Sequence, residues 1–245
     1  MEITSVKNEK IKQIIKLKQK KYRDETNLVL IEGYKVYLET LKANIIVKEI
    51  FATQNEISKL NLKDNKVNII SEEVSNKLTY NLTSQNFFAV IEKPVSKIKE
   101  GNFLILDNIQ DPQNLGAIIR TCVAINILNL YLINCADIFN DKVIRASMGN
   151  VFKIRFENIK ICELNNICKN KIIYCADMDG ENLFSIKKPN KEFGLILGNE
   201  GNGVSDEVKK YATKTLTIPM QNNVESLNVA VSSAIICYYL TNLKK

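Results

Sequence analysis

Histidine is absent from all 245 residues. With it go the commonest general base, the Ser/His and Cys/His nucleophile pairs and most catalytic zinc sites. None of the six cysteines (Cys122, Cys135, Cys162, Cys168, Cys175 and Cys237) forms a CxxC pair. Most sit in apolar surroundings and are expected to be reduced thiols acting as small hydrophobes, which suits a cytoplasmic protein. The N-terminus lacks the apolar core of a secretory signal. The longest apolar stretch, residues 229–240, contains two serines and is too short to cross a bilayer, so no membrane association is expected. There is no fixed-period repeat and no low-complexity tract.

What is present is ordinary in bulk and specific in detail. An apolar content of 45% and a charged content of 25% are those of a globular chain that buries a full core. The formal charge of +7 fits either a polyanionic partner or simple solubility. Its distribution says more. Residues 7–23 hold Lys7, Lys10, Lys12, Lys16, Lys18, Lys20, Lys21 and Arg23 against one acid, Glu9. Ile11, Ile14, Ile15 and Leu17 lie at near-helical spacing inside this run, which predicts one amphipathic helix with a cationic outer face suited to phosphate.

Strands and helices then alternate. LVLIEG, IIVKEIFAT, VNIIS and FFAVIEKP read as strands. YKVYLETLKA, QNEISKLNLK and EEVSNKLTYN read as helices, the last capped by Ser71. This first α/β domain is expected over residues 1–92, with KPVSKIKEG (93–101) as a linker and a second domain over 102–245. The second half has more hydrophobic strands, in NFLILD, NLYLIN, VFKIRF, KIIYCAD, FGLILG and TLTIP. Near-continuous apolar runs suit parallel strands covered on both faces, and ligands in such sheets bind beyond the carboxyl ends of the strands.

Three stretches lie at such ends. LILGNEGNG places Gly198, Gly201 and Gly203 in the order GxxGxG, which is not the dinucleotide order GxGxxG. Asp206 and Glu207 follow in the first helical turn, where a pyrophosphate would meet like charge. A phosphate-free ligand lying along exposed backbone fits better, with Glu200 as an acceptor pointed into the site. In ESLNVAVSSAIICYYL, Ser226 is placed to cap an apolar helix. In LDNIQDPQNLGAIIRTC, Asn114 opens a helix after Pro112. Arg120, six residues on, is either a packed stem with its head in water or a cation aimed at an anion.

Together these stretches resemble the motifs of the SpoU (TrmH) branch of the SPOUT RNA methyltransferases. N-x-G-x-x-x-R is matched by Asn114, Gly116 and Arg120. L-G-x-E-G-x-G is matched by Leu197, Gly198, Glu200, Gly201 and Gly203. I-P-M with S-L-N-V is matched by Ile218, Pro219, Met220, Ser226, Leu227, Asn228 and Val229. RASMGNVFKI is similar to the R-x-S-x-G segment of the family through Arg145, Ser147 and Gly149. The first half resembles the L30e-like substrate-binding domain that many of these enzymes carry.

The resemblance implies an α/β fold in two parts: an L30e-like domain, and a mostly parallel α/β sheet tied in a trefoil knot. It implies a homodimer whose site is completed across the interface, and methyl transfer from S-adenosyl-L-methionine, without a metal, to a ribose 2′-hydroxyl of RNA. Ribosomal (23S) RNA is favoured over tRNA. Arg120, Asn114, Glu200, Ser226 and Asn228 are then the catalytic set. Leu197, Gly198, Gly203, Ile218, Met220 and Leu227 would seat the cofactor. Lys18, Lys20, Lys21, Arg23 and Arg145 would contact RNA. The competing reading is a non-catalytic RNA-binding ribosome-assembly factor.

Overall fold

The computed structural model describes residues 2–62, 67–95, 97–222 and 225–241. They fall into two compact units: Met1–Val95 with Phe139–Phe152, and Ser96–Ile138 with Lys153–Lys245. Ser96, in the expected linker, lies outside the described residues.

The first unit begins with α1 (Glu9–Lys16) and α2 (Lys20–Thr26), followed by β1 (Leu28–Glu32), α3 (Tyr34–Lys42), β2 (Val47–Ala52), α4 (Gln54–Leu60), β3 (Val67–Ile69), α5 (Glu72–Leu78) and β4 (Phe87–Glu92). The sheet order is β1-β4-β2-β3, with β4 antiparallel to both neighbours and β2 parallel to β3. Ile11, Ile14 and Leu17 pack with Leu30, Phe51, Val74, Leu78 and Phe88 in one apolar cluster. Ser71 caps α5 as expected, accepting from the Val74 amide.

The basic run is two helices, not one. The chain breaks between Lys16 and Lys20 because side chains claim the carbonyls there. The Arg23 guanidinium donates at 2.8 Å to both the Leu17 and Lys18 carbonyls, ending α1. Arg23 is thereby 3% exposed and is not presented to a ligand. The Lys18 ammonium donates to the carbonyls of Lys77 and Thr79 and caps α5 instead of facing outward. Its burial holds the Lys18 pKa below the ordinary lysine value. Lys20 and Lys21 are exposed, and pair along their own helix with Asp24 at 2.7 Å and Glu25 at 3.9 Å.

Glu32, at the end of β1, is a buried carboxylate with its hydrogen bonds satisfied. Its oxygens accept from the Thr79 hydroxyl, the Tyr80 and Gln85 amides and the Asn81 side chain, at 2.7 to 3.1 Å. These four donors fold the chain between α5 and β4 around one anion. Within the same unit, Asn81 also accepts from Arg145, which pairs with Asp141 at 3.1 Å.

The second unit starts with β5 (Phe103–Asp107), α6 (Pro112–Ala124) and β6 (Asn129–Ile133). The next helix, α7 (Asp141–Ala146), belongs to the first unit. Then come β7 (Arg155–Asn158), α8 (Leu164–Ile167), β8 (Ile172–Asn182), β9 (Phe193–Leu197), α9 (Asp206–Lys209), β10 (Lys214–Thr217) and α10 (Val229–Leu240). The strand β7 starts later than VFKIRF suggests, because Asn150–Lys153 form a 3-10 turn. The sheet order is β10-β8-β9-β5-β6-β7, and all five pairings are parallel. Every residue of β5, β6 and β9 is buried, as strands with both faces covered require.

Asparagine does much of the turning in this chain. Of the described non-glycine residues with positive φ, all but Met148 are asparagines, including Asn108 after β5 and Asn134 after β6. Asparagine tolerates the left-handed region because its short amide bonds locally.

Replacing Glu32 by Ala should destabilise the first unit by about 2 kcal/mol, since several charge-assisted bonds vanish and their partly buried donors lose a common acceptor. Urea unfolding measures this, and a loss well under 1 kcal/mol would show that the segment folds without its anion.

Candidate active site

Within the second unit, three loops meet beyond the carboxyl ends of β5, β9 and β10. The first leads into α6, where the Asp111 carboxylate caps the helix by accepting from the Gln113 amide and Pro112 opens it. This fixes Asn114 in the first turn, facing the other two loops. The Asn114 amide nitrogen donates to Glu200 at 2.7 Å, and its oxygen accepts from the Asn228 side chain at 2.9 Å. Asn114 therefore ties the loop after β9 to the loop before α10.

The loop after β9 is a tight hairpin. Asn199 and Gly203 exchange both backbone hydrogen bonds, at 2.9 and 3.0 Å, and Gly203 has φ +67°. A Cβ on Gly198 would lie 2.2 Å from the Gly203 carbonyl, so only glycine lets the two strands of the hairpin close. The Asn199 side chain fastens the hairpin inward by donating to the Asn108 carbonyl, and outward by accepting from the Gly201 and Asn202 amides. Asp107, buried at the end of β5, accepts from the Ser205 amide and holds the far side.

The loop after β10 ends at α10. The N-cap is Asn228, not Ser226: its side-chain oxygen accepts from the Ala230 and Val231 amides. Asn228 thus caps a helix with one end of its amide and binds Asn114 with the other. Ser226 lies two residues earlier, exposed at the cavity wall. Of the expected loop 221–223, Asn223 lies outside the described residues.

Between these loops lies a cavity of about 620 Å³. All six residues expected to seat the cofactor line it: Leu197, Gly198, Gly203, Ile218, Met220 and Leu227. Glu200 and Ser226 also line it. One wall was not foreseen. Strand β8 pairs with β10 through Tyr174 and Cys175, then again only from Glu181, so residues 176–180 bulge out opposite the step from Thr215 to Leu216. Gly180 permits this pinch, since a Cβ there would lie 2.7 Å from the Leu216 carbonyl carbon. The bulge carries Asp177, Met178 and Asp179 into the cavity wall. A Gly inside an apparent strand is the sequence signal that marks such a bulge.

The cavity suits a compact ligand that is cationic in part. Its floor is apolar, and Asp177, Asp179, Glu200 and Glu225 stand on its walls with no basic side chain among its lining residues. Such a lining favours a sulfonium and an ammonium and disfavours phosphate. Burial acts to raise the Asp177 pKa, but the Lys209 ammonium at 2.6 Å and the Asp179 amide outweigh it and leave the carboxyl below its ordinary value.

Arg120 is not brought to this cluster by its own chain. It is exposed and makes no hydrogen bond or ion pair with a described residue. Six residues of helix carry it about 9 Å along α6 and roughly 120° around the axis from Asn114. Four of the five expected catalytic residues are thus at the site, and the fifth points elsewhere. The expected RNA contacts Lys18, Arg23 and Arg145 are engaged within the first unit, as described. Buried thiols are held protonated. Burial pushes Cys175 up to about 11 and Cys237 up to about 12.

The comparisons with known proteins agree with this geometry. The SpoU rRNA Methylase family matches residues 101–238, and the MRM3-like substrate binding domain matches residues 8–89. The 23S rRNA (guanosine(2553)-2′-O)-methyltransferase of Bacillus subtilis is 34% identical over 98% of each chain. A solved TrmH-family protein from Porphyromonas gingivalis superposes with a TM-score of 0.85 at 31% identity, covering 97% of this chain and 98% of that one. The AdoMet-bound rRNA methyltransferase from Sinorhizobium meliloti superposes with a TM-score of 0.84 at 26% identity, covering 98% and 97%. The motif residues, the parallel sheet and these relatives place the chain in the SpoU rRNA methylase family, with a substrate-binding domain preceding the methylase domain.

Proposed function

We propose that this enzyme methylates a ribose 2′-hydroxyl of 23S ribosomal RNA, acting in the cytoplasm as a homodimer with S-adenosyl-L-methionine as donor. The observation that carries the reading is the Asn114–Glu200–Asn228 network beside a cavity lined by all six residues of the expected cofactor seat. The bound donor supplies an electrophilic methyl on a sulfonium, which is reactive without a metal.

Everything else falls to the chain. Leu197, Ile218 and Leu227 offer apolar walls to the adenine, and Met220 adds a deformable thioether side chain. The hairpin from Gly198 to Gly203 leaves backbone amides and carbonyls open to ligand polar groups. Glu200 is an acceptor whose orientation is set by Asn114, and Ser226 presents an exposed hydroxyl at the same wall. Together they hold the ribose in attack geometry, where alignment is worth several kcal/mol.

Arg120 belongs to the partner's site in this reading. Its exposure and lack of a hydrogen bond or ion pair with a described residue support that role, and Val231 and Tyr238, each about half exposed on the apolar α10, support an apolar subunit contact. A guanidinium stays charged and has no lone pair to take a proton. Arg120 therefore clamps an RNA phosphate and stabilises the emerging alkoxide, while the proton leaves through water or a phosphate oxygen.

The substrate-binding domain (1–92) and the methylase domain (102–245) divide the work. Lys20 and Lys21, with their neighbours Lys12 and Lys16, supply salt-dependent phosphate affinity. Their pairing with exposed acids is weak and yields to a polyanion.

Incubation with methyl-labelled cofactor and ribosomal RNA from cells lacking the protein should place label on a hydrolysis-resistant sugar linkage in 23S RNA. Label on a base would contradict ribose transfer, label confined to tRNA would contradict the RNA assigned, and no label would favour an assembly factor. Mixing Arg120→Ala with Glu200→Gln should restore activity that neither variant has alone, because one site of the mixed dimer is then intact. No restoration would place Arg120 in its own chain's site.

A further inference from the structure

The bulge on β8 is an element that the family motifs leave unassigned. Two features suggest a task for it. Its position is enforced from two sides: Lys209 grips Asp177 at 2.6 Å, and the Gly180 backbone lies hard against β10. Asp177 in turn accepts from the Asp179 amide at 3.1 Å, which sets the turn that carries Asp179. The two carboxylates then differ in kind. Asp177 is in direct contact with the Lys209 ammonium, whereas the exposed Asp179 carboxylate lines the cavity, has no hydrogen bond or ion pair with a described residue and feels Lys209 only at longer range.

We propose that Asp179 is a specificity-determining residue that reads the positive charge of the methyl donor, and that the Asp177–Lys209 pair positions it. The inference rests on S-adenosyl-L-methionine being the cofactor. Donor and product differ by one methyl and one charge. Transfer turns the sulfonium into a neutral thioether, so the electron pair of the broken S–CH3 bond stays on sulfur and the carbon bonds to the ribose oxygen. A cavity that recognised only adenine, ribose and methionine would hold the two nearly alike, and product would linger. A carboxylate held in the wall separates them: its attraction to the sulfonium disappears once the methyl has left, while its attraction to the ammonium is common to donor and product. Of the other three acids on the walls, two are committed elsewhere, and the exposed Glu225 stands apart from the anchored bulge. Glu200 is committed to Asn114, and Asp177 to Lys209.

Calorimetric titration of the full-length protein with S-adenosylmethionine and with S-adenosylhomocysteine tests this without reference to activity. Asp179→Asn should weaken donor binding about fivefold, the effect of roughly 1 kcal/mol of screened attraction, and weaken product binding distinctly less. The difference should shrink as salt is raised. Lys209→Met should weaken both ligands, because the bulge loses its anchor. Thermal unfolding of each variant confirms that the fold is intact. If Asp179→Asn weakens both ligands equally, or neither, the charge-reading role is overturned. If the unaltered protein binds neither ligand, it is the cofactor assignment that fails instead.

Discussion

One asparagine side chain holds the site together. The Asn114 amide gives a hydrogen bond to Glu200 and takes one from Asn228, so two loops that leave different strands are fixed by a residue on a third. An amide is the group that can do this, since it offers a donor and an acceptor on one rigid plane. A carboxylate there would repel Glu200, and a hydroxyl would be too short to span both. Asn228 repeats the device, capping α10 with its oxygen while its nitrogen serves the site. The parallel sheet makes this economical, because every strand end that carries a loop faces the same way.

The cavity depends on backbone closeness more than on side-chain bulk. Gly198 lets the hairpin after β9 close, and Gly180 lets the β8 bulge press on β10. Between them the walls carry carboxylates while the floor stays apolar. This arrangement explains how a chain without histidine performs group transfer. The electrophile arrives with its own charge, and the chain needs to align the partners rather than tune an imidazole.

Much of this was legible in the residues. The apolar runs of β5, β6 and β9 announce buried parallel strands, and the glycine order at 198, 201 and 203 argues against a dinucleotide site. The failures share a cause: side chains reaching across sequence. Arg23 belongs by composition to a cationic face, yet it folds back onto the Leu17 and Lys18 carbonyls and splits one expected helix into two. Lys18 caps a helix that lies some sixty residues away in sequence. Ser226 is a good cap by type, but Asn228 stands one residue before the first helical residue and takes the position. The left-handed turns taken by asparagine have no periodic signature in the sequence. The bulge at 176–180 was hidden because a register shift is a property of two strands together, and only Gly180 hinted at it.

The central claim is that Asn114 and Asn228 act as one unit in holding the site. A double-mutant cycle on the methyl-transfer rate, with Asn114→Ala, Asn228→Ala and both, tests it most directly, with cofactor affinity measured on each variant. The double variant should lose little more than either single one, since breaking the network once breaks it wholly. Additive losses would mean that the two residues work independently and would contradict it.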